Sequence, residues 1–410
     1  MKKKIFFQTI PSILLVFLPI SLITGPFLPD LSISVMAIIF LLRCLVYKDY
    51  SYFNNYFFKY FLIFYLVCLF SSLISDFKLI SSLKSFLYIR FGLFFLSVWN
   101  LISTNKKILK YIFFSLLISF LVLVLDGFFQ YIFDKNIIGI KKHPTRLSGF
   151  FGDELILGSY LSRFLPILIG LHFLNKYKIK NIYNKLFYLL AILSIVLIYL
   201  TGERAAFLLS IMSIIYLIVM INKFSKNFLN ILIISLILIF IANIQNPNIK
   251  QRMVDYTRYQ LEIESGKSNG PNIYKGHFLI AKDLFKENPI LGVGPKNFSM
   301  HCNNNIKYQS LPYICTTHPH NIYIQLLAET GIVGTLLIFL LFLILTYYSI
   351  KHIFFRIFKK IEIFNFTQIC ILSSFLITLW PFITTGSFFN NYLNIIFFFP
   401  IGIFISIRES

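Results

Sequence analysis

Residues 318–350 read HPHNIYIQLLAETGIVGTLLIFLLFLILTYYSI. Two imidazoles and an asparagine are followed by a mixed stretch, the pair Gly331 and Gly334, and then an unbroken apolar run. A hydrocarbon core takes about 20 apolar residues to cross, and the run supplies them. The spacing therefore places His318 and His320 where a polar loop enters a membrane helix. Groups that exchange a proton near pH 7 are scarce in such a chain.

The whole chain fits that reading. With 57% apolar, 18% aromatic and 13% charged residues in 410, it cannot hide its apolar surface in one water-soluble core and must use lipid as solvent. A net charge of +22 would suit a nucleic-acid binder, but the basic residues sit in short loops between apolar runs with no block of interleaved aromatics. Their placement sets topology instead, and no nucleic acid is expected as a partner.

Apolar runs near 8–24, 30–47, 60–75, 84–102, 111–132, 158–174, 186–202, 204–222, 228–244, 331–350, 366–385 and 388–406 predict an all-α polytopic membrane protein with about 12 transmembrane helices. The first run follows Lys2, Lys3 and Lys4, and no small-x-small cleavage site follows it. Alternating crossings gather Lys2 to Lys4, Lys48, Lys106, Lys176, Lys178, Lys180, Lys223, Lys351, Lys359 and Arg408 on one side. Both termini are then cytoplasmic. The other side receives the loop 134–157, the turn Thr201-Gly202-Glu203-Arg204, and a polar loop of more than seventy residues ending at His320. The expected organisation is helices 1 to 9 over residues 1–244 with the outer loop 134–157, an extracytoplasmic subdomain over 245–330 and helices 10 to 12 over 331–410. Tyr274, Phe278, Ala281, Leu284 and Phe285 fall at helical spacing and predict an amphipathic helix on the membrane surface.

Arg204 has apolar runs on both sides, and a guanidinium there costs on the order of 2.5 to 3.5 kcal/mol, so it requires a partner or ligand. Two are open: Glu203 or another acid, or a phosphate or pyrophosphate, which the planar fork grips in two places. Arg146, in a loop with Gly149 and Gly152, either lines an anionic site or is a solvated loop residue. Arg90, Asp126 and Arg163 are further charges in apolar runs. For His320 the alternatives are a capping imidazole and a general base that takes a proton from a sugar hydroxyl while arginines stabilise a departing pyrophosphate; His318 is the other candidate base. His318, His320 and His301 lack a familiar metal-ligand spacing, so no metal and no cofactor are expected. Cys302 and Cys315, if bridged on an oxidising face, would stabilise the loop before His318 by about 3 kcal/mol.

At these residues the chain resembles the O-antigen ligase and polymerase superfamily. The resemblance rests on His320-Asn321 and the pair Gly331 and Gly334, on Arg146-Leu147-Ser148-Gly149-Phe150-Phe151-Gly152 with Gly158, on Thr201-Gly202-Glu203-Arg204-Ala205-Ala206, and on Asn288-Pro289-Ile290-Leu291-Gly292-Val293-Gly294-Pro295-Lys296-Asn297-Phe298. It covers roughly Arg146 to Gly334. It implies metal-independent, inverting transfer from an undecaprenyl-pyrophosphate-linked glycan donor to lipid A-core or a lipid-linked glycan acceptor. The enzyme would be multi-pass in the bacterial inner membrane with its site facing the periplasm, among membrane lipids. His320 would be the base and Arg204 a pyrophosphate contact, with Arg146, His318 and Asn321 beside them. Relatives often carry an arginine just ahead of the amphipathic helix. Here Asn272-Ile273-Tyr274-Lys275-Gly276-His277 stands there, so Lys275, His277 or Arg258 would substitute. A ligase is the first reading and a polymerase the second. A lipid-linked glycan flippase is a distant third, since related halves are not visible.

Overall fold

The computed structural model describes residues 5–174, 181–221, 225–264, 273–305 and 315–408. Lys2 to Lys4, Lys176, Lys178, Lys180, Lys223 and Asn272 lie outside them. Among the described residues the chain is helical, with two isolated bridges, Lys135 to Lys141 and His143 to Arg146, and no strand.

The apolar helices are α1 (Ile5–Ser21), α2 (Phe27–Tyr47), α3 (Tyr56–Ile74), α4 (Lys78–Thr104), α5 (Lys107–Phe133), α6 (Leu157–Leu174), α7 (Asn181–Leu200), α8 (Arg204–Met220) and α9 (Ser225–Gln245). Three small helices follow: α10 (Tyr256–Glu264), α11 (Ile273–Glu287) and α12 (Phe298–Asn304). The chain ends with α13 (Ile322–Phe354), α14 (Phe366–Thr378) and α15 (Asn391–Arg408). Eight of these are long and apolar enough to cross a membrane, namely α2 to α6, α9, α13 with its continuation, and α15; α1, α7, α8 and α14 are shorter apolar helices. Together they occupy the twelve positions read from hydropathy, and the molecule is an all-α polytopic membrane protein.

Without a hydrophobic force between helices in lipid, close packing comes from small residues and polar contacts. A Cβ on Gly402 of α15 would come within 2.6 Å of Phe95 O on α4. Gly170 lets α6 meet Cys370 of α14, where Thr367 Oγ1 donates to Gly170 O at 3.0 Å. The charges inside the apolar runs find partners: Arg90 pairs with Asp30 at 2.7 Å, Arg163 donates to Ser159 Oγ at 2.6 Å, and Asp126 accepts from the Ile137 amide at 2.9 Å.

Three elements differ from the sequence reading. The apolar run 366–385 is helical only to Thr378. Pro381 then removes a backbone donor, and the carbonyls released from the ladder accept from other parts of the chain: Leu379 O from Tyr323 Oη at 2.7 Å and Pro381 O from Asn321 Nδ2 at 2.7 Å. The helix expected to begin at 331 begins at Ile322, and Gly331 (φ 62, ψ −166) breaks it internally. Finally, the expected amphipathic helix forms as α11, and its inward face keeps Ala281 and Leu284 of the expected five but takes His277 and Ile280 in place of Phe278. His277, Ile280, Ala281 and Leu284 are buried, while Phe278 is 39% exposed, because the helix docks against Ala328 and Ile324 of α13.

The Gly331 break explains two of the motifs at once. It leaves Ala328 O and Glu329 O, and the amides of Ile332 and Val333, without helical partners. The segment 289–294 satisfies all four: Val293 N donates to Ala328 O (2.9 Å), Gly294 N to Glu329 O (3.0 Å), Ile332 N to Pro289 O (2.9 Å) and Val333 N to Ile290 O (3.3 Å). A Cβ on Gly292 would fall on the Glu329 carbonyl carbon, and one on Gly331 on Ile290 O. Both glycines also carry positive φ, which other residues adopt only with strain.

Candidate active site

Asn321 starts α13 as its N-cap: Oδ1 accepts from the amides of Tyr323 (3.0 Å) and Ile324 (3.2 Å). The two histidines just ahead of this cap are held by the segment between α14 and α15. His320 has φ +56, an uncommon conformation for a side chain larger than Gly. Its carbonyl accepts from Thr385 N at 2.9 Å, while His318 Nε2 donates to Thr385 O at 3.1 Å. One residue thus clamps both histidines through its main chain. Below, Gln325 Oε1 accepts from Phe388 N (2.8 Å), and its Nε2 donates to Ser387 Oγ (2.9 Å) and to Glu329 Oε2 (2.9 Å). Glu329, wholly buried, also accepts from Phe298 N at 3.0 Å and so ties this clamp to the 288–298 segment.

The two imidazoles are not equivalent. A carbonyl only accepts, so His318 carries its proton on Nε2, and Nδ1 accepts from Thr317 Oγ1 at 2.9 Å. Both nitrogens are engaged, and burial with the neighbouring His320 pushes its pKa down to about 4. His320 lies 4.3 Å away, ring to ring, and neither of its nitrogens is committed to a hydrogen bond among the described residues. Burial lowers its pKa from the ordinary 6.5, so the ring is neutral at pH 7 and able to accept a proton. His277, buried on α11, stands 5.3 Å from His320, and Tyr274 one turn earlier stands 6.3 Å from it. His301 packs edge-on against Phe77 instead, at 5.1 Å.

Tyr274 connects the histidines to the arginines. It lies within electrostatic reach of both Arg146 and Arg204, and each of those feels Arg252. The tight turn between α7 and α8 makes the gathering possible: Gly202 has positive φ, and a Cβ there would come within 3.3 Å of Arg146 Cγ and 3.4 Å of Arg252 Cγ. Arg252 Nε donates to Gly202 O at 3.4 Å, and Arg204 donates to Thr257 Oγ1 at 3.3 Å. Beside them a cavity of about 200 Å³ is lined by Lys142, Arg146 and Arg252, with no carboxylate in its wall.

Glu203, offered by the sequence as a partner of Arg204, belongs to Arg146 and α6. Its two oxygens accept from Gly158 N (2.6 Å) and Ser159 N (3.0 Å), and Arg146 approaches to 4.0 Å. The carboxylate thus caps the first turn of α6, where the helix dipole favours negative charge; even so, burial raises its pKa to about 7. Cys302 and Cys315 are bridged, with Cα atoms 5.5 Å apart.

The site therefore unites His320, His318, Asn321, His277, Arg146 and Arg204. Lys275 is exposed on α11, and Arg258 is exposed on α10. Arg252, Tyr274, Thr385, Gln325 and Glu329 were missed as site residues. Arg252 was within reach of sequence reasoning, since it is a basic residue shortly after an apolar run on the same face as Arg204. Thr385 carries no local signal, because its partners lie more than sixty residues away.

An all-α polytopic membrane protein with a cationic cluster and an imidazole pair at the ends of its helices defines the class. Residues 189–339 match the family model described as O-antigen ligase. Over that segment, a little over a third of the chain, the sequence is similar to that family, which supports the resemblance to the O-antigen ligase and polymerase superfamily. The match contains Arg204, Arg252, Tyr274 and His320 and begins after Arg146. No curated protein matches the chain.

Proposed function

We propose that the protein is a glycosyltransferase that moves a glycan from an undecaprenyl-pyrophosphate donor to lipid A-core, by a single inverting displacement that uses no metal. His320 accepts the proton of the attacking sugar hydroxyl as that oxygen bonds to the anomeric carbon, and the bond to the pyrophosphate oxygen breaks on the opposite face. Arg204, Arg146 and Arg252 stabilise the charge that develops on the departing pyrophosphate. The observation that carries the reading is the gathering of three arginines beside a cavity whose wall, among the described residues, holds no carboxylate, joined through Tyr274 to a neutral imidazole whose nitrogens make no hydrogen bond among those residues. In this reading the site faces the periplasm of a bacterial inner membrane and both termini are cytoplasmic, an orientation that the placement of lysines supports. A polymerase would use the same groups on a lipid-linked acceptor.

The deciding experiment is transfer of glycan from a lipid-pyrophosphate donor to lipid A-core by purified, chelator-treated protein, with wild type beside His320→Ala and Arg204→Ala. Product from wild type alone supports the ligase. Longer lipid-linked glycan in its place makes the protein a polymerase, and labelled lipid crossing the bilayer without either product makes it a transporter.

A further inference from the structure

Between α3, α13, α14 and α15 the bundle leaves a cavity of about 470 Å³, walled by groups such as Phe61, Leu345, Leu372, Phe397, Ile401 and Phe404. Its bounds follow from how α13 is tied to the bundle. The Tyr60 hydroxyl holds Leu337 O above, and Phe364 N donates to His352 Nδ1 at 3.2 Å below. Between those ties α13 is held on another face by Ser349, bonded to the Tyr216 hydroxyl at 2.9 Å, and Leu341, Ile344, Leu345 and Tyr348 line the cavity. Protein interiors rarely keep voids larger than a water, since the lining loses its dispersion contacts outright. Water is a poor filler here, because the wall is almost wholly hydrocarbon and a buried water needs two to four polar partners. At roughly the 30 Å³ that a water occupies in the liquid, the space takes on the order of fifteen chain carbons.

The mouth of the cavity says which chain enters. Arg408, Tyr56 and Tyr348 rim it; Tyr56 is 89% exposed and Tyr348 43%. Tyrosines and a snorkelling arginine are the side chains of a headgroup level. Among the described residues Arg408 makes no ion pair with a carboxylate. It ends α15, whose first turn lies beside the histidine clamp, where Asn394 Nδ2 donates to Phe388 O at 2.6 Å. Eighteen residues at 1.5 Å each separate the two ends by roughly 27 Å, close to the thickness of the hydrocarbon core. A phosphate at Arg408 therefore belongs to the leaflet opposite His320, and so to a lipid other than the glycan donor.

We infer that this cavity is a binding site for one acyl chain of an anionic phospholipid whose phosphate is held by Arg408. The chain lies beneath Phe388, which lines the cavity and whose amide is held by Gln325, so the lipid supports the segment that clamps His318 and His320.

The test is native mass spectrometry of the full-length protein, delipidated and reloaded with phosphatidylglycerol or phosphatidylcholine. Wild type retains one phosphatidylglycerol in preference to phosphatidylcholine, by about tenfold, the worth of one charge-assisted contact. Ile401→Trp fills the cavity and abolishes retention; Leu345→Phe, from the opposite wall, does the same if the first variant does not fold. Arg408→Gln keeps the chain and loses the preference for the anionic lipid. Unchanged retention in a folded cavity-filling variant overturns the site. So does displacement of the bound lipid by a polyprenyl pyrophosphate, which would assign the cavity to the donor's tail.

Discussion

His318 and His320 differ in what they touch, and that difference predicts how they respond to substitution. With both nitrogens engaged, His318 positions the loop, whereas the His320 ring makes no hydrogen bond among the described residues. His320→Ala should lower kcat by about 10²- to 10⁴-fold, the usual worth of a general base, with the melting temperature retained. The wild-type rate should fall as pH drops below 6.5, because the protonated ring cannot accept the hydroxyl proton and burial sets the folded pKa under that value. His318 has a different signature. Its pKa falls from 6.5 to about 4 on folding, so the unfolded chain takes up the proton first. The stability it contributes is complete above 6.5 and is lost as pH falls towards 4. Thermal melts of wild type across that window should show acid destabilisation that His318→Gln lacks. Glu203→Gln should cost about 1 to 3 kcal/mol in the same melts, since one of the two accepting oxygens becomes an amide NH2, which sets a donor against the N–H of Gly158 or Ser159.

The segment 289–294 and α13 show the same economy at the level of elements. Each of the two glycines removes a clash that would otherwise keep the broken helix and the loop apart. Gly331→Ala and Gly292→Ala should each destabilise by more than the ~1 kcal/mol of an ordinary helical glycine change. Transfer activity should fall with stability, because Glu329 sits in the same joint and reaches the clamp through Gln325. This joint was half legible in the sequence. The glycine spacing stood out as a motif, but its partner was invisible, since main-chain pairing across almost forty residues leaves no periodic trace. The end of α14 was misplaced for a related reason: an apolar run reads as continuous helix even where its last carbonyls are recruited by Asn321 and Tyr323. The inward face of α11 was read in part, with Ala281 and Leu284 buried as expected and His277 and Ile280 missed, because the pattern was matched to a membrane surface and the helix packs on protein.

At the level of the molecule, hydropathy alone located the twelve apolar helices, because the demand that lipid places on a spanning segment is nearly independent of its neighbours. The candidate site draws on five parts of the chain: the loop carrying Arg146, the turn after α7, the stretch from Arg252 to His277, and the residues around 320 and around 385. Arg252 is the clearest case. Its side chain reaches Gly202 O, fifty residues earlier, across a turn whose shape no local pattern announces. Arg252→Ala should raise KM for the lipid-pyrophosphate donor, and Arg252→Lys should restore only part of it, because an ammonium lacks the two-pronged grip on phosphate. Orientation is checked by thiol labelling. A cysteine at Lys142 should react with an impermeant reagent in intact spheroplasts, and one at Lys351 only after the membrane is opened.

The clamp on His320 comes from residues 385–388, beyond the end of the segment 189–339 that matches the family. That segment is consequently not a detachable module: it lacks Arg146, and a fragment ending at 339 would leave the His320 imidazole without the main chain of Thr385 that holds it. Two halves severed in the exposed linker after Lys359 should instead recover transfer when co-expressed, since α14 packs on α6 and α15 on α4 through contacts that need no peptide bond at the cut.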